Sequence, residues 1–442
     1  RQARPRRWPA GLHEYADQAQ GLRQALLDQR RALTVGRLLD AAPALSRVVA
    51  PVWLLSPYAF AQEVPARMHF DTVIVLDAAQ IAFPELVVPI AQGDQVIAFG
   101  DPSLLGPQEF AVAPAADAPD VDAPAEPAES AFAVISAAVP HREMTQSYRA
   151  GGRELAAIVN DVRYHGAIRA LPCPQSFLGD DVIAREVVED GVGVPDQRTG
   201  LVEAVPGEIA RVVELVVSSV SWHGDESLMV VTTNNRTAKA IRAAVYRELA
   251  NLPQLADFFD PSRSEPFLVL TIAQAATRSR DRVIFSLGYG RTPHGRMLTQ
   301  FGPISGDENG ERALATAFTR ARHHLTLVSC FRQQDVVLDR LSGGPLLLAR
   351  TLFAADVDWQ PPAPAPAQPM LGDLGRRLQD RGLKVLANYG GLGLAVAAPD
   401  GESAYLVETD ADFGHGTLRE QLRLHPNDLR RMAWGFMRVY SF

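Results

Sequence analysis

Short apolar runs without polar alternation recur along the chain, and they restrict its fold more than any other feature. The first block contains the runs 48–56, 70–77 and 94–101. A second block contains the runs 227–233, 266–272, 281–290 and 324–331. Strands that are buried on both faces of a parallel sheet lack alternation, and helical stretches separate these runs. The sequence therefore predicts an α/β fold with a parallel sheet in each block.

Helices and linkers complete this picture. The second block contains amphipathic helical patterns over 207–224, 236–252 and 310–322. Two segments of biased composition, an Ala/Pro/acidic one and a Pro-rich one, indicate linkers, and a small helix-and-strand module follows the second. The predicted organisation is a first domain at 1–110, a linker at 111–135, a second domain at 136–357, a linker at 358–369 and a module at 370–442.

Composition excludes several classes of protein. The net charge of −8 argues against a surface that coats nucleic acid uniformly, although it leaves room for a local basic groove. The two cysteines, Cys173 and Cys330, lie far apart in sequence, which predicts a reducing compartment without a disulfide framework or zinc site. We find no signal peptide and no apolar run of about 18 residues, so we expect a cytoplasmic protein without a membrane segment.

Phosphate chemistry is suggested by arginines rather than by a phosphate-binding loop. The two lysines, Lys239 and Lys384, do not follow a glycine-rich loop, and the pattern GxxxxGK[ST] is absent. Two short motifs, SYRA (147–150) and GERALATAFTRAR (310–322), hold Arg149 and Arg320. Nucleoside triphosphatases use such arginines to clamp a γ-phosphate across a domain cleft.

Acidic residues follow two of the predicted strands in the first block. Asp77 lies in FDTVIVLDAAQI (70–81), and Asp101 lies in GDPSLLGP (100–107). The carboxyl ends of strands in an open α/β sheet are where Mg²⁺ ligands occur. The alternative is structural, because Asp77 can simply cap a core strand and 100–107 can simply form a turn.

Taken in order, the motifs resemble those of superfamily 1B helicases, the group that contains the nonsense-mediated-decay helicase. The resemblance runs over roughly residues 45–335 through PVWLLSP, FDTVIVLDAAQ, GDPSLLGP, SYRA, VVTTNNRTAKAI, RSRDRVIFSLGYG, FGPIS and GERALATAFTRAR. It implies two RecA-like domains with ATP between them and single-stranded DNA or RNA across the top. The first domain is then incomplete, and the phosphate-binding loop of the family is expected ahead of Arg1.

Residue roles follow from this resemblance position by position. The catalytic positions of the family fall on Asp77, Gln80, Asp101, Arg149 and Arg320. The nucleotide-binding positions are Arg149, Arg320 and Arg322, and the positions near the nucleic-acid path are Ser56 and Pro57. The resemblance makes ATP and Mg²⁺ possible cofactors, and we assign no residue as a metal ligand.

Departures from the family motifs argue against catalysis. The family's Asp-Glu-Ala-Ser-Gln reads LDAAQ (76–80), so Leu76 replaces the magnesium-holding Asp and Asp77 replaces the longer water-orienting Glu. Leu104 stands where the family has a Gln that senses the γ-phosphate. Losing a positioned charge in a phosphoryl-transfer site raises the barrier by several kcal/mol. We therefore expect ATP binding to be weak or absent.

Structural roles stay open for the retained residues. Arg320 can pair with Asp281 or Glu311 and lock the domain, and we favour this role because so many chemical partners are missing. The pair Ser56-Pro57 can be a strand-ending turn.

The C-terminal segment resembles the very-short-patch-repair type of endonuclease domain, which has the PD-(D/E)xK fold. The family's first acid falls on Gly393 in LGLAV, whereas Glu408 and Asp410 match its later acids. Metal-dependent cleavage needs two or three clustered acids to hold Mg²⁺ and activate water. We therefore expect a folded module that does not cleave DNA.

Three functions remain open on this evidence. The first is a degenerate helicase-like protein that binds single-stranded DNA or RNA with little or no ATP hydrolysis. The second is the C-terminal part of an active ATP-dependent 5′-to-3′ helicase whose phosphate-binding loop lies upstream. The third is a non-catalytic subunit that binds a helicase or nuclease partner.

Overall fold

The computed structural model describes residues 12–27, 34–107, 129–149, 151–196, 200–295, 300–306, 308–353, 368–410 and 417–440. The chain forms two compact units. The first unit comprises residues 1–102 and 106–141, and the second unit comprises residues 103–105 and 142–442. None of the described helices combines the length and the hydrophobicity needed to cross a lipid bilayer.

The first unit has a small parallel sheet and helices. Its strands are β1 (Phe70–Val75) and β2 (Gly93–Ala98), which pair in parallel from Phe70 opposite Gly93 to Val75 opposite Ala98. Its helices are α1 (Ala16–Leu27), α2 (Val35–Ala41), α3 (Pro43–Val49), α4 (Pro57–Glu63), α5 (Phe83–Ala91) and α6 (Ala131–Ala138). Val73, Val75 and Val96 face a core formed with α5 and α6, which include Leu86 and Phe132.

One strand prediction in this unit is wrong. The run 48–56 was expected to be a strand, but its start belongs to α3 and the rest forms no strand in the structure. Pro43 begins α3 at a position where its missing N–H costs nothing, and a short apolar run does not distinguish helix from strand. The run ends at Ser56, whose Oγ accepts a hydrogen bond from Ala59 N (3.2 Å) and caps α4.

The predicted first linker is only partly visible. Residues 111–128 lie outside the described residues, whereas α6 includes the end of that linker and belongs to the first unit. Phe132 and Ile135 of α6 are apolar and pack on the sheet, which explains why this stretch is helical.

The second unit contains a five-stranded sheet in the order β5-β9-β8-β6-β7, and every pair in it is parallel. The strands are β5 (Ile183–Val187), β6 (Leu228–Thr232), β7 (Leu268–Thr271), β8 (Arg280–Ser286) and β9 (Ala321–Ser329). Before them, β3 (Gln146–Ser147) and β4 (Arg169–Ala170) form a short parallel pair. The predicted α/β class with parallel sheets is therefore confirmed.

Helices cover both faces of the five-stranded sheet. The helices of this part of the unit are α7 (Gly152–Arg163), α8 (Pro174–Leu178), α9 (Pro206–Trp222), α10 (Asn235–Leu249), α11 (Ile272–Ala275), α12 (Glu308–Phe318) and α13 (Gly343–Leu352), of which α8 packs on the C-terminal module instead. One core contains residues of α7, α12 and α13, and the other contains residues of α9 and α10. All five residues of β6 are buried, which is the physical reason for its lack of polar alternation.

The C-terminal module, residues 368–410 and 417–440, contains a mixed four-stranded sheet in the order β10-β11-β12-β13. Its elements are α14 (Pro369–Gln379), β10 (Val385–Ala387), β11 (Leu394–Ala397), β12 (Ala404–Thr409), a π-helical turn (Glu420–Leu424), α15 (His425–Arg431) and β13 (Gly435–Val439). The first two pairs of strands are antiparallel, and β12 pairs with β13 in parallel. Most of the linker predicted before this module lies outside the described residues.

The module packs on a docking segment, residues 171–178, which lies between β4 and β5. Phe177 of this segment contacts Tyr389 and Trp434 with ring centroids 5.3 and 5.9 Å apart. Trp434 Nε1 donates a hydrogen bond to the Pro172 carbonyl (2.9 Å). Because these aromatic rings belong to one buried cluster, the module is part of the second unit and not a tethered appendage.

Candidate functional site

The acidic positions of the first unit follow the carboxyl ends of its two strands. Asp77 is exposed, has a left-handed backbone (φ 55°) and begins a short 3₁₀ helix, Ala78–Gln80. Asp101 follows β2 by three residues and is half-buried. The two strand ends are joined by hydrogen bonds, since Phe99 N donates to Val75 O and Ala78 N donates to Phe99 O (both 2.8 Å).

Gly100 explains how these two segments approach each other. A Cβ atom at this position would lie 2.8 Å from Ala79 N and 2.7 Å from a ring carbon of Phe132. Such distances are shorter than packed atoms allow, so the close approach requires glycine. The glycine of the GDP tripeptide (100–102) was a signal for this contact that the sequence analysis did not use.

This strand end does not fit a magnesium ion. Leu76 occupies the last position before Asp77, and 57% of it is exposed. Mg²⁺ takes oxygen ligands, which a leucine side chain lacks. In the described part of the chain, no three His, Cys, Asp or Glu side chains converge to hold a metal ion. The residue before Asp77 therefore supplies no oxygen ligand for a metal ion.

The arginine cluster, formed by Arg149, Arg320 and Arg322, lies in the second unit at the amino ends of β8 and β9. Arg149 Nη1 donates to the carbonyls of Thr319 and Ala321, the latter at 3.2 Å. Arg320 is 8% exposed. Its Nε donates to Thr316 O (2.9 Å), and its Nη1 donates to Ala276 O. Both predicted phosphate-contacting arginines thus bind backbone carbonyls.

Arg322 makes ion pairs instead. Its Nε donates to Asp281 Oδ1 (2.9 Å), its Nη atoms donate to both carboxylate oxygens of Glu265, and Nη2 also donates to Ser227 Oγ (3.0 Å). The hydrogen bonds to Glu265 raise the pKa of Arg322, and those same bonds lower the pKa of Glu265. This arginine is therefore a fully charged member of a structural network.

Two expectations about this region are wrong. The helix predicted over 310–322 ends at Phe318, so Arg320 lies in a turn and Arg322 lies on β9. The carboxylates expected to pair with Arg320 bind other arginines. Asp281 pairs with Arg322 (2.9 Å), and Glu311 pairs with Arg163 (3.2 Å).

Three segments that are distant in sequence meet at the cluster. The SYRA segment (147–150) reaches the turn 319–321 through Arg149, and that turn reaches segment 276–281 through Arg320. Backbone bonds reinforce the contact, because Arg280 N donates to Arg320 O (3.2 Å) and Gly151 N donates to Arg322 O (2.6 Å). Motifs that the sequence could only align by order are therefore adjacent in space.

Sequence reasoning missed Glu208, a fully buried carboxyl at the other end of the sheet. Its Oε1 accepts hydrogen bonds from Ser286 Oγ (2.6 Å) and from Gly288 N (2.8 Å). Burial raises the pKa of Glu208 to about 7. Glu208 begins the buried stripe that continues through Val212 and Val216 of α9, and this spacing was a usable signal.

Glu408, one of the two acids that match the nuclease pattern, is bound on both oxygens in the C-terminal module. Oε1 lies 2.7 Å from His425 Nε2, and Oε2 accepts from Arg438 (3.1 Å). Burial alone raises the pKa of this carboxyl, but His425 and Arg438 outweigh burial and leave the pKa below its usual value. The carboxylate is therefore charged, and each of its oxygens binds one basic side chain.

The other two nuclease positions do not rebuild an acidic cluster. Gly393 stands where the family has its first acid, and a Cβ atom there would collide with the carbonyl oxygen of Val407 on β12. Asp410 follows β12 and is half-buried. The backbone of β12 thus occupies the space into which an acid at position 393 would extend.

The predicted nucleic-acid residues, Ser56 and Pro57, form the start of α4. Ser56 caps the helix and Pro57 is its first residue. The alternative given for this pair, a turn that ends a strand, is wrong because no strand directly precedes it in the described structure; Ser56 is exposed and Pro57 is half-buried.

Comparison with known proteins relates the chain to helicases. No family model matches it. An uncharacterized ATP-dependent helicase of Mycoplasma pneumoniae is 26% identical over 310 residues, which are 66% of this chain and 26% of that protein. Its counterpart in Mycoplasma genitalium is 26% identical over 309 residues, with the same two shares. The chain thus spans about a quarter of the length of these relatives.

Among solved structures, the C-terminal domain of a possible DNA helicase from Lactobacillus plantarum matches at 17% sequence identity. The match covers 39% of this chain and 83% of that domain, with a TM-score of 0.23. The two sequence relatives make about two thirds of this chain similar to uncharacterized ATP-dependent helicases.

Proposed function

We propose that this helicase-like chain is a scaffold that binds single-stranded nucleic acid and does not hydrolyse ATP by itself. The proposal rests on the sequence relatives, which are described as ATP-dependent helicases, and on the state of the residues that would act on a nucleotide. A fold that keeps the helicase motifs can keep a surface that binds nucleic acid even when it does not hydrolyse ATP.

The observation that carries the proposal is the use of the two arginines. Arg149 and Arg320 direct their guanidinium groups at carbonyls of residues 276, 319 and 321. A hydrogen bond from a charged donor contributes about 1.5 to 3 kcal/mol, so turning either side chain toward a phosphate would forfeit comparable stability. These arginines hold a turn together, and Leu76 adds no oxygen for the metal that would accompany ATP.

Nucleotide binding is tested by calorimetry on the whole chain. ATP or a non-hydrolysable analogue is titrated with and without Mg²⁺, and steady-state ATP hydrolysis is measured in parallel. We expect no saturable heat at micromolar protein and no hydrolysis above buffer. Tight ATP binding that requires Mg²⁺ would refute the proposal and favour a catalytic role for the site.

Nucleic-acid binding is tested by fluorescence anisotropy with labelled single-stranded DNA, single-stranded RNA and a duplex control. Arginine contacts to phosphates release counterions, so affinity should fall steeply between about 50 and 200 mM salt. We expect the single strands to bind more tightly than the duplex, because bases stack only when they are free. No binding at low salt would exclude this part of the proposal.

We further infer that the C-terminal module does not cleave DNA. Both oxygens of its buried acid, Glu408, already bind His425 and Arg438, and position 393 leaves no room for a second acid. Incubation of supercoiled plasmid with the protein and Mg²⁺ or Mn²⁺ should leave the plasmid intact. Cleavage that is lost in Glu408→Gln would contradict this inference.

A second candidate function is part of an active helicase that receives its phosphate-binding loop from outside these residues. The observation in its favour is that the three nucleotide-associated motif segments converge at the arginine cluster. Under this candidate, the same titrations give Mg²⁺-dependent ATP binding once the missing loop is supplied, and Asp77→Ala abolishes it.

A further inference from the structure

The helical segment 418–431 of the C-terminal module carries positive charge in a chain whose net charge is −8. It runs through the π-helical turn and α15 without a break, and such a turn inside a helix often marks a functional site. From its start to the end of β13, residues 418–439 include five arginines and two acidic residues. The arginines are Arg419, Arg423, Arg430, Arg431 and Arg438. A local surface of this sign attracts anions even though the whole chain is acidic.

Both acidic residues are already bound by their neighbours. Glu420 accepts hydrogen bonds from the backbone N (2.7 Å) and the Oγ1 (3.1 Å) of Thr417. Asp428 pairs with the arginine three positions later (3.5 Å). Arg419 and Arg423, by contrast, are exposed, and neither forms an ion pair or a side-chain hydrogen bond with any residue that the structure describes. Their two guanidinium groups are therefore available to a ligand.

Apolar and aromatic side chains surround these two arginines. Leu418 and Leu422 are 68% and 54% exposed, and each directly precedes one of the arginines. Arg438 Nη1 donates to Gln421 O (2.9 Å), which holds β13 against the π-helical turn. Tyr440 follows two residues after this contact and is 45% exposed. The surface thus combines guanidinium groups, aliphatic groups and an aromatic ring.

We propose that this surface, formed by Arg419, Arg423 and Tyr440, binds single-stranded nucleic acid. The two guanidinium groups bind phosphates of the backbone, and the ring of Tyr440 stacks on a base. This assignment rests on the proposed function, because it gives the nucleic acid a place to bind. The surface lies outside residues 45–335, over which the chain resembles helicases, so that resemblance does not supply it.

The chemistry of the surface favours nucleic acid over other anionic partners. Arginine presents a planar set of donors that matches a phosphate group, and residues four positions apart lie on one side of a helix. An exposed aromatic ring stacks with any unpaired base. An anionic membrane fits less well, because an interfacial helix inserts its apolar face into the lipid. Here that face is buried in the module, where Leu429 is 0% exposed.

Fluorescence anisotropy on the whole chain, with labelled single-stranded DNA and RNA, tests the arginines. Arg419→Gln with Arg423→Gln should weaken binding of both about ten-fold at about 50 mM salt, because both strands offer the same phosphates. The slope of log affinity against log salt should become shallower by about 1.4, since each phosphate contact to a single strand contributes about 0.7.

A second double variant of the same module is the matched control. Arg376→Gln with Arg377→Gln removes the same charge from α14, where both arginines are exposed and pair with Asp373. This helix packs on the opposite face of the module's sheet. The control should bind as tightly as the wild type, and thermal unfolding of both double variants should be unchanged because all four side chains are exposed.

Tyr440 provides a readout that charge does not affect. Tyr440→Leu should weaken binding several-fold without changing the salt slope, because a stacking contact releases no counterions. Tyr440→Phe keeps the ring and should bind like the wild type. An unchanged affinity in Tyr440→Leu would contradict the stacking contact.

The possible results separate this surface from the proposed function. If the wild type binds single strands and both arginine variants bind equally well, the surface is wrong and the proposed function stands. If the wild type binds no single strand at low salt, the proposed function fails and the surface fails with it. If Arg419→Gln with Arg423→Gln loses binding to phosphatidylserine vesicles but keeps its affinity for nucleic acid, the surface belongs to a membrane and the proposal is overturned.

Discussion

Single residues of the second unit are held in environments that change their acid–base behaviour, and Glu208 is the clearest case. Its carboxyl is fully buried between α9 and the end of β8, where Ser286 and Gly288 donate to one oxygen. The side chain stays protonated up to a pKa of about 7 because burial disfavours the charged form. A buried acid of this kind couples the folding of the sheet to pH.

Glu208 should make the second unit less stable as pH rises. Between the ordinary pKa of Glu and about 7, the unfolded chain has released this proton while the folded chain still holds it. The loss amounts to about 3 kcal/mol when it is complete. Glu208→Gln keeps the acceptor oxygen and removes the titration. In urea unfolding at several pH values, the unfolding free energy of the wild type should therefore fall relative to that of the variant as pH rises. The same pH dependence in both proteins would contradict this prediction.

His324 should act in the opposite direction. Burial, with the charge of Arg282 second, lowers its pKa to about 4, and its Nδ1 lies 2.8 Å from Asp181 O, to which it donates. The unfolded chain binds a proton below the ordinary pKa of His, whereas the folded chain does not, so stability falls as pH decreases toward 4. His324→Asn preserves a hydrogen-bond donor. In the same unfolding series, it should reduce the loss of stability at acidic pH. An unchanged loss would show that His324 does not cause it.

A substitution at Gly393 tests why this nuclease position carries no acidic residue. Gly393→Asp should destabilise the C-terminal module by about 2 to 3 kcal/mol, because its Cβ collides with the carbonyl of Val407. Gly106→Asp is the control, since no atom lies within 4 Å of a Cβ there. Thermal unfolding measures the difference, and a fully stable Gly393→Asp with metal-dependent cleavage would refute both the steric argument and the inactive module.

At the scale of elements, the turn between α12 and β9 is the structure on which the candidate site depends. Arg320→Ala should cost about 2 to 4 kcal/mol of unfolding free energy, because Thr316 and Ala276 lose their buried donor. Arg312→Ala on α12, the helix before this turn, removes a half-buried arginine that pairs with the exposed Glu308 and should cost less, about 1 kcal/mol. Denaturant unfolding of both variants decides the matter. A stable Arg320→Ala would return this residue to a role in ligand binding.

Elements were predictable where burial leaves a clear pattern. The central strands β6, β8 and β9 lie within or close to the apolar runs at 227–233, 281–290 and 324–331, since their residues are buried on both faces. The strand prediction for the run 48–56 is wrong because its first residues belong to α3 and residues 50–56 form neither helix nor strand. The predicted end of α12 is wrong because the helical spacing continues in the sequence after Phe318. In the structure, Arg322 lies on β9 and pairs with Asp281 instead.

The candidate site was predictable as a set of residues and not as a set of contacts. Motif order grouped Arg149, Arg320 and Arg322 as nucleotide-binding positions, and the structure places them near one another, while that role stays a prediction. Nothing local in the sequence shows that Arg149 bonds the carbonyl of residue 319, which is 170 positions away. Such pairings arise from the register of β8 and β9, and register is decided by packing of the whole sheet.

At the scale of the whole second unit, the docking segment joins the C-terminal module to the region of the five-stranded sheet. Trp434→Ala should destabilise the module by about 3 to 5 kcal/mol, because the indole is buried and loses its bond to Pro172. Trp222→Ala, which removes an exposed indole, should change stability by about 0.5 kcal/mol or less. Calorimetry should show one transition for the wild type and an earlier, separate transition for Trp434→Ala. An unsplit profile would mean that other contacts suffice for docking.

The reactivity of Cys173 can report how often the docking segment separates from the C-terminal module. The thiol lies at the start of α8 with no exposed surface, and burial raises its pKa to about 11, so at neutral pH it is both shielded and protonated. Only an accessible thiolate attacks the sulfur of a disulfide reagent. The rate at which Cys173 is modified, compared with that of the equally buried Cys330, therefore measures how often residues 171–178 separate from Tyr389 and Trp434.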